Sequence, residues 1–184
     1  MFRLEVILGP MYSGKSTELI RRISRFTSIE TPTLCINHSL DSRTSDYIQT
    51  HNELKIPAIK TDSLMSGVYT KEEFDKAEVI GVDEAQFFGD LVEFVKMSEI
   101  YCYKHKLNKT IIVSGLDGDF NRKPFGQILN LIPLCDKVEK LTALDKDSKE
   151  DAIFTKRIGH ENSQILVGAK ESYIAVSRKN YISM

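Results

Sequence analysis

An α/β fold with a mostly parallel sheet is predicted for this 184-residue chain by three observations. Apolar, β-rich runs alternate with longer segments of helical spacing, which favours crossover connections between parallel strands. The first run leads through a glycine-rich turn directly into a helical pattern. The alternation then stops near Leu141, and shorter β-like runs take over.

Leu4 to Leu8 is the first apolar run and reads as a buried strand. After Lys15, the residues Leu19, Ile20, Ile23 and Phe26 form one apolar stripe, with Arg21, Arg22 and Arg25 placed elsewhere, so a helix follows. Thr33 to Ile36 is the second strand. Ser39 to Leu54 is polar, broken by Asp41, Ser42, Arg43, Thr44, Ser45 and Asp46, and is expected to be a mobile loop. Val79 to Val82 is a third strand, and Leu91, Phe94, Val95, Tyr101 and Cys102 mark a second amphipathic helix. Ile111 to Val113 completes the strands of the main domain. Beyond Leu141 the helical pattern ends, and Ile153 to Thr155, Ile165 to Val167 and Tyr173 to Val176 read as short strands separated by Gly159 and Gly168. The expected division is a nucleotide-binding α/β domain over 1–141 and a small β-rich domain over 142–184.

Composition limits the partners. Apolar residues make up 41% of the chain, with only ten glycines and five prolines, enough for a packed core. The formal net charge of −1 supplies no general attraction to nucleic acid, so a bulk polyanion is not an expected partner. The longest uncharged stretch, Gly126 to Cys135, is far shorter than the roughly 20 residues a bilayer requires, so no membrane partner is expected. Met1, Phe2, Arg3, Leu4 and Glu5 run straight into the first strand without a basic leader, which points to the cytosol. Cys35, Cys102 and Cys135 lie far apart and are expected to be reduced core residues.

The strongest functional signal is Gly9, Pro10, Met11, Tyr12, Ser13, Gly14, Lys15, Ser16, a G-x-x-x-x-G-K-[ST] sequence with a strand before it and a helix after it. Such a P-loop curls so that backbone N–H groups point at phosphate oxygens, the helix presents its positive end, and Lys15 adds a charge at the β and γ phosphates. The Ser16 hydroxyl can ligate Mg²⁺. The bland alternative, a glycine-rich turn with a solvated lysine, fits the flanking elements less well. Asp83 and Glu84 close the run Val79, Ile80, Gly81, Val82. Asp83 is the candidate Mg²⁺ partner and Glu84 the candidate base for an attacking hydroxyl or water; alternatively both simply end a strand and cap the next helix, starting near Phe88. Asn108, Lys109, Thr110, Ile111 lacks the Asp of a guanine-reading motif and precedes its strand, which disfavours a GTPase. A small-molecule kinase is the preferred reading, with a regulatory or motor P-loop ATPase as the alternative.

A longer series of motifs then resembles a family, the type II thymidine kinases. The series is Gly9-Pro10-Met11-Tyr12-Ser13-Gly14-Lys15-Ser16-Thr17-Glu18-Leu19, Asp41-Ser42-Arg43, Asp83-Glu84-Ala85-Gln86-Phe87-Phe88, Leu116-Asp117-Gly118-Asp119-Phe120, Arg122-Lys123-Pro124-Phe125-Gly126, Lys140-Leu141-Thr142-Ala143 and Thr155-Lys156-Arg157. The resemblance spans nearly the whole chain. It implies a RecA-like P-loop core with a small β-rich carboxyl-terminal lasso domain, transfer of the ATP γ-phosphate to the 5′-hydroxyl of thymidine or deoxyuridine, and a homotetramer. Feedback inhibition by thymidine triphosphate is a further family expectation. It also implies Glu84 as general base, Arg43 near the transferring phosphate, and nucleotide contacts from the P-loop through Thr17 together with Asp83 and Gln86. Arg43 taken alone reads equally as a solvated loop residue.

For the nucleoside, the resemblance points to Met11, Leu116, Phe120, Phe125, Thr155, Ile165, Gly168 and Tyr173, with Phe120 stacked on the pyrimidine. Without it, Leu116, Phe120, Phe125 and Ile165 read as core residues. Many family members carry a zinc site in the small domain built from two Cys-x-x-Cys pairs, and the matching positions here are Asp145 with Ser148 and Ser177 with Asn180. Their oxygens do not replace soft thiolates, and His160 between them adds a single imidazole, so no structural zinc is expected. Asp145, Asp147, Glu150 and Asp151 are candidates to pair with Arg178 and Lys179, but exposed pairs of about 0 to 1 kcal/mol each are too weak to replace zinc. Packing of Ile153, Ile165, Tyr173, Val176 and Tyr181 onto the main domain, or burial between subunits, is therefore expected to contribute most. Asp119 and Asn121 stand where other members often have Thr and Gln, which leaves the electrostatics of the Phe120 loop open.

Overall fold

The structure is a computed structural model and describes residues 1–41, 46–50, 53–158 and 172–183. Its centre is a six-stranded sheet in the order β5-β2-β6-β7-β1-β8, formed by β1 (Phe2–Leu8), β2 (Thr33–His38), β5 (Ile59–Thr61), β6 (Val79–Asp83), β7 (Lys109–Gly115) and β8 (Lys137–Lys140). Every pairing in it is parallel. All four expected strands of the main domain are present and somewhat longer than their apolar cores.

Period-two alternation divides these strands between two faces. On one face Leu4, Val6 and Leu8 of β1 pack with Val82, Val113 and with Leu91, Phe94 and Val95 of the helix α3 (Leu91–His105). On the other, Ile7 and Ile112 meet Leu19, Ile20 and Ile23 of the helix α1 (Lys15–Thr27). Both expected helices are thus the layers that cover the sheet, and between them a short helix α2 (Glu72–Lys76) precedes β6. Cys35 and Cys102 are buried and Cys135 is half-buried, all as free thiols. Among the described residues no helix is long and apolar enough to cross a membrane.

Several expectations need correction. The segment expected as a loop from Ser39 to Leu54 contains the strand β3 (Tyr47–Gln49), paired antiparallel with β4 (Lys55–Pro57). Its one buried hydrophobic residue, Ile48, joins the α1 face of the core, and a single apolar position gives no periodic signal. The strands β5 and β8 carry Lys60, Lys137, Glu139 and Lys140 because they lie at the sheet edges, where one side is solvated. After Leu141 the described residues form two small antiparallel pairs, β9 (Ala143–Leu144) with β10 (Asp151–Ala152) and β11 (Phe154–Arg157) with β12 (Tyr173–Val176). They are followed by a short helix α4 (Arg178–Ser183), so helical structure does not stop at Leu141. The run Ile165 to Val167 lies outside the described residues.

Arg22 is the other departure. Expected off the buried stripe of α1, it is only 5% exposed. Its guanidinium donates to Glu5 on β1 at 2.7 Å, to Glu18 at 2.7 Å and to Glu139 on β8 at 2.5 Å. A buried cation is tolerated because all three of its nitrogens meet carboxylates, and the result ties α1 to two strands at once. Because α1 begins at Lys15, that tie also sets the helix end that follows the P-loop. Arg22→Met is expected to lower the unfolding free energy by about 1–3 kcal/mol, read from denaturant titration, since it leaves three carboxylates without their shared donor.

Candidate active site

The strands β6, β7 and β1 are neighbours, all parallel, with Leu8 opposite Gly115 and Val82 opposite Val113. The segments that follow them therefore leave from one edge of the sheet, where open α/β sheets bind ligands. After β1 comes Gly9 to Ser16, after β6 come Asp83 and Glu84, and after β7 comes Leu116.

The P-loop turns into α1 through Gly14, whose φ of 82° is a left-handed conformation that favours glycine. Tyr12 also has a positive φ, 65°. Inside the loop the Pro10 carbonyl accepts from Ser13 Oγ at 2.8 Å and from Lys15 Nζ at 2.7 Å, so the ammonium is folded over the turn. The Met11 N–H donates to Thr155 Oγ1 at 2.9 Å, and the Tyr12 hydroxyl to the Tyr173 carbonyl at 3.3 Å. These contacts join the P-loop to β11 and β12, and bring four of the candidate site residues together. Ser16 and Thr17 are half-buried in the first turn of α1.

Asp83 is 1% exposed, and its Oδ1 accepts from Ser114 Oγ at 2.8 Å. Glu84 adopts φ 51° and ψ 38°, a strained left-handed conformation for a residue with a side chain, at the start of a 3₁₀ turn over Ala85–Phe87. Its Oε2 accepts from Gln86 Nε2 at 2.7 Å, while Gln86 Oε1 accepts from the Leu116 N–H at 3.0 Å. Gln86 is 3% exposed and its amide faces these two protein groups.

Leu116 opens the segment that carries Phe120. Asp119 closes that loop on itself, with Oδ1 accepting from the N–H groups of Asn121 at 2.8 Å and Lys123 at 2.9 Å. The carboxylate at this position, open from the sequence, is thus a turn-forming acceptor. Phe120 lies with the Arg157 guanidinium 4.1 Å from its ring centre, and Arg157 also lies 4.9 Å from the Tyr173 ring and donates to the Tyr173 hydroxyl. The Tyr181 hydroxyl of α4 donates to the Phe120 carbonyl at 2.8 Å. Phe125 is buried and meets Phe87 edge-on, with ring centres 5.6 Å apart. Arg43, Ile165 and Gly168 lie outside the described residues; Asp41, at the head of the Arg43 motif, is buried and accepts from Asn37 Nδ2 at 2.9 Å. Sequence patterns do not mark Arg157 and Tyr181 as site residues: Arg157 stands only in Thr155-Lys156-Arg157, and Tyr181 reads as a packing residue.

Residues 2–181 match the family described as thymidine kinase. The chain belongs to the thymidine kinase family. It is 41% identical over 179 residues to the protein named "Thymidine kinase, cytosolic" of Cricetulus griseus, covering 97% of this chain and 73% of that one. The same identity, length and coverage hold for the like-named protein of Homo sapiens. It is 40% identical over 180 residues to the thymidine kinase of Raccoon poxvirus, covering 98% of this chain and 97% of that one.

Around Asp145, Ser148, Ser177 and Asn180, the positions where the resemblance implied a missing zinc site, a hydrogen-bonded hub is centred on Asp145, 1% exposed. Its Oδ2 accepts from the Ser177 N–H at 2.7 Å and Asn180 Nδ2 at 2.9 Å, while Oδ1 accepts from the N–H groups of Asp147 at 3.0 Å and Ser148 at 3.2 Å. Ser148 and Ser177 hydroxyls stand 3.5 Å apart. The Ser177 N–H first, then those of Ser148 and Asp147, hold the Asp145 carboxyl well below the usual carboxylate range. The candidate ion pairs are not what joins these segments. Among the described residues no salt bridge links Asp145, Asp147, Glu150 or Asp151 to Arg178 or Lys179, and the Arg178 guanidinium lies 5.1 Å from the Phe154 ring. Of the residues expected to pack here, Val176 is buried and Tyr181 meets Phe154 with ring centres 5.2 Å apart. His160 lies outside the described residues.

Proposed function

We propose that this chain transfers the γ-phosphoryl group of ATP to the 5′-hydroxyl of thymidine or deoxyuridine. The observation that supports this most is the opening of the P-loop, the Asp83–Glu84 pair and the Leu116–Phe120 segment on one edge of a parallel sheet in a thymidine kinase chain. The P-loop N–H groups and Lys15 hold the triphosphate, with Lys15 Nζ exchanging the Pro10 carbonyl for phosphate oxygens. The nucleoside lies along the Leu116–Phe120 segment, against Met11, Phe125, Thr155, Ile165, Gly168 and Tyr173. Phe120 offers one ring face to the pyrimidine while Arg157 holds the ring. As the 5′-oxygen bonds to the γ-phosphorus, Glu84 accepts the hydroxyl proton, and the bond from that phosphorus to the β–γ bridging oxygen breaks to release ADP. By the family resemblance, Arg43 serves the transferring group.

Hydroxyl and carboxylate oxygens are hard donors of the kind Mg²⁺ takes alongside phosphate oxygens and water, so Ser16 and the buried Asp83 fit that ion. Bound there, Mg²⁺ supplies neutralisation of phosphate charge. Lys15→Ala is expected to weaken ATP binding by about tenfold or more, read by nucleotide titration, because it removes the one P-loop side-chain charge facing the phosphates. The proposal extends to thymidine triphosphate as a feedback inhibitor, a homotetramer, a cytosolic location, and domains over 1–141 and 142–184. Incubation with Mg²⁺, ATP and a panel of nucleosides tests the activity. ADP release confined to thymidine and deoxyuridine supports it, and release independent of any nucleoside favours a P-loop ATPase instead.

A further inference from the structure

Gln86 sits between the two halves of the site. One arm of its amide donates to Glu84 Oε2 at 2.7 Å and the other accepts the Leu116 N–H at 3.0 Å. The side chain is 3% exposed, so these bonds form away from competing water. The packing around it is close: a Cβ added at Gly115 would stand 2.6 Å from Gln86 Oε1 and 2.9 Å from Ile128 Cδ1. The amide therefore has one orientation with a donor toward Glu84 and an acceptor toward Leu116, since the reverse would set an N–H against the Leu116 N–H. Glu84 itself holds a left-handed backbone that its own side chain does not favour. A carboxylate on such a backbone, next to a 3₁₀ turn, needs an external restraint to keep one direction.

We propose that Gln86 is a positioning residue of the base: it holds the Glu84 carboxylate in register with the segment from Leu116 to Phe120 that carries the nucleoside, instead of contacting the nucleotide. The inference rests on the reading of this chain as a thymidine kinase with Glu84 as base. An aligned reacting pair loses rate steeply on small displacements, so the effect falls on turnover more than on binding.

The test compares the parent with Gln86→Glu, Gln86→Met, Glu84→Gln and Glu84→Gln/Gln86→Glu, each checked for an unchanged melting transition before kinetics with ATP and thymidine. Gln86→Glu keeps an acceptor for Leu116 and loses the donor to Glu84. It is expected to lower kcat by about tenfold or more, with both KM values within about twofold. Gln86→Met loses both arms, and is expected to lower kcat similarly and also raise KM for thymidine. In the Glu84→Gln background, Gln86→Glu is expected to have no further effect on kcat, because the group it positions is gone. Kcat of Gln86→Glu within about twofold of the parent, a rise confined to KM for ATP, or an equal kcat loss in both backgrounds overturns the proposal. A parent that does not phosphorylate thymidine overturns the underlying reading, and this is seen before any variant is measured.

Discussion

Glu84→Gln is expected to lower kcat by about 10² to 10⁴ while leaving ATP affinity within a few fold, because the amide keeps the shape of the side chain and cannot take a proton. The backbone argues for a dedicated role. Glu84 is one of seven described non-glycine residues with positive φ, and directly follows a buried strand-end carboxylate; such a conformation costs on the order of 1–3 kcal/mol unless its surroundings enforce it. An aspartate or glutamate that merely ended β6 would gain nothing from that strain. Here the strain turns the chain sharply after the buried Asp83 and leaves Glu84 half-buried at the strand end. Turnover and nucleotide affinity measured on the same preparation separate the two effects. A variant within a few fold of the parent in kcat would remove Glu84 from proton transfer.

The second large effect concerns stability and the nucleoside side of the site. Asp145→Asn is expected to lower the melting temperature by about 5 °C or more at neutral pH. Each carboxylate oxygen of Asp145 accepts from a different chain segment: Oδ1 from Asp147 and Ser148, Oδ2 from Ser177 and Asn180. An asparagine has one oxygen to offer, so whichever way it turns, an NH₂ group faces N–H donors on one side. The damage reaches the site through α4, since Tyr181 follows Asn180 and donates to the Phe120 carbonyl, so KM for thymidine should rise as well. The pH dependence has a definite sign. The folded carboxyl is depressed below its ordinary value of 3.8, so its stabilisation is complete from about pH 5 upward and is lost as pH falls through about 4 and below. The gap in melting temperature between parent and variant should therefore narrow on acidification. Because the Asp145 carboxylate is already satisfied by four N–H donors and its neighbours Ser148, Ser177 and Asn180 offer no thiolate, elemental analysis is expected to find no stoichiometric zinc. A strong chelator with excess Mg²⁺ should leave activity unchanged, and about one zinc per chain would contradict this assignment.

Much of the main domain could be read in advance because its strands are buried on both faces and its helices on one, so apolar periodicity reports them directly. Leu4 to Leu8 and the stripe Leu19, Ile20, Ile23 are examples, and both lie in the two core clusters. Edge strands escaped for the opposite reason. Lys137 to Lys140 alternates charged residues with one valine, and only its pairing with β1 makes it a strand. The P-loop was legible because its chemistry is written in consecutive residues. Gln86 reaches Leu116 from 30 positions away in sequence, and Arg157 and Tyr181 reach Phe120 from 37 and 61 positions away, which no local pattern encodes. The candidate ion pairs around Asp145 do not form for a physical reason: the carboxylate is buried among backbone N–H groups, which satisfy it without the cost of desolvating a second charge.

The most direct test follows the γ-phosphoryl group itself. The protein is mixed with Mg²⁺, γ-labelled ATP and thymidine, and the labelled products are separated. The account predicts label in thymidine 5′-monophosphate, formed in step with ADP, and neither product when thymidine is left out. Label appearing as inorganic phosphate at the same rate with and without thymidine would contradict it.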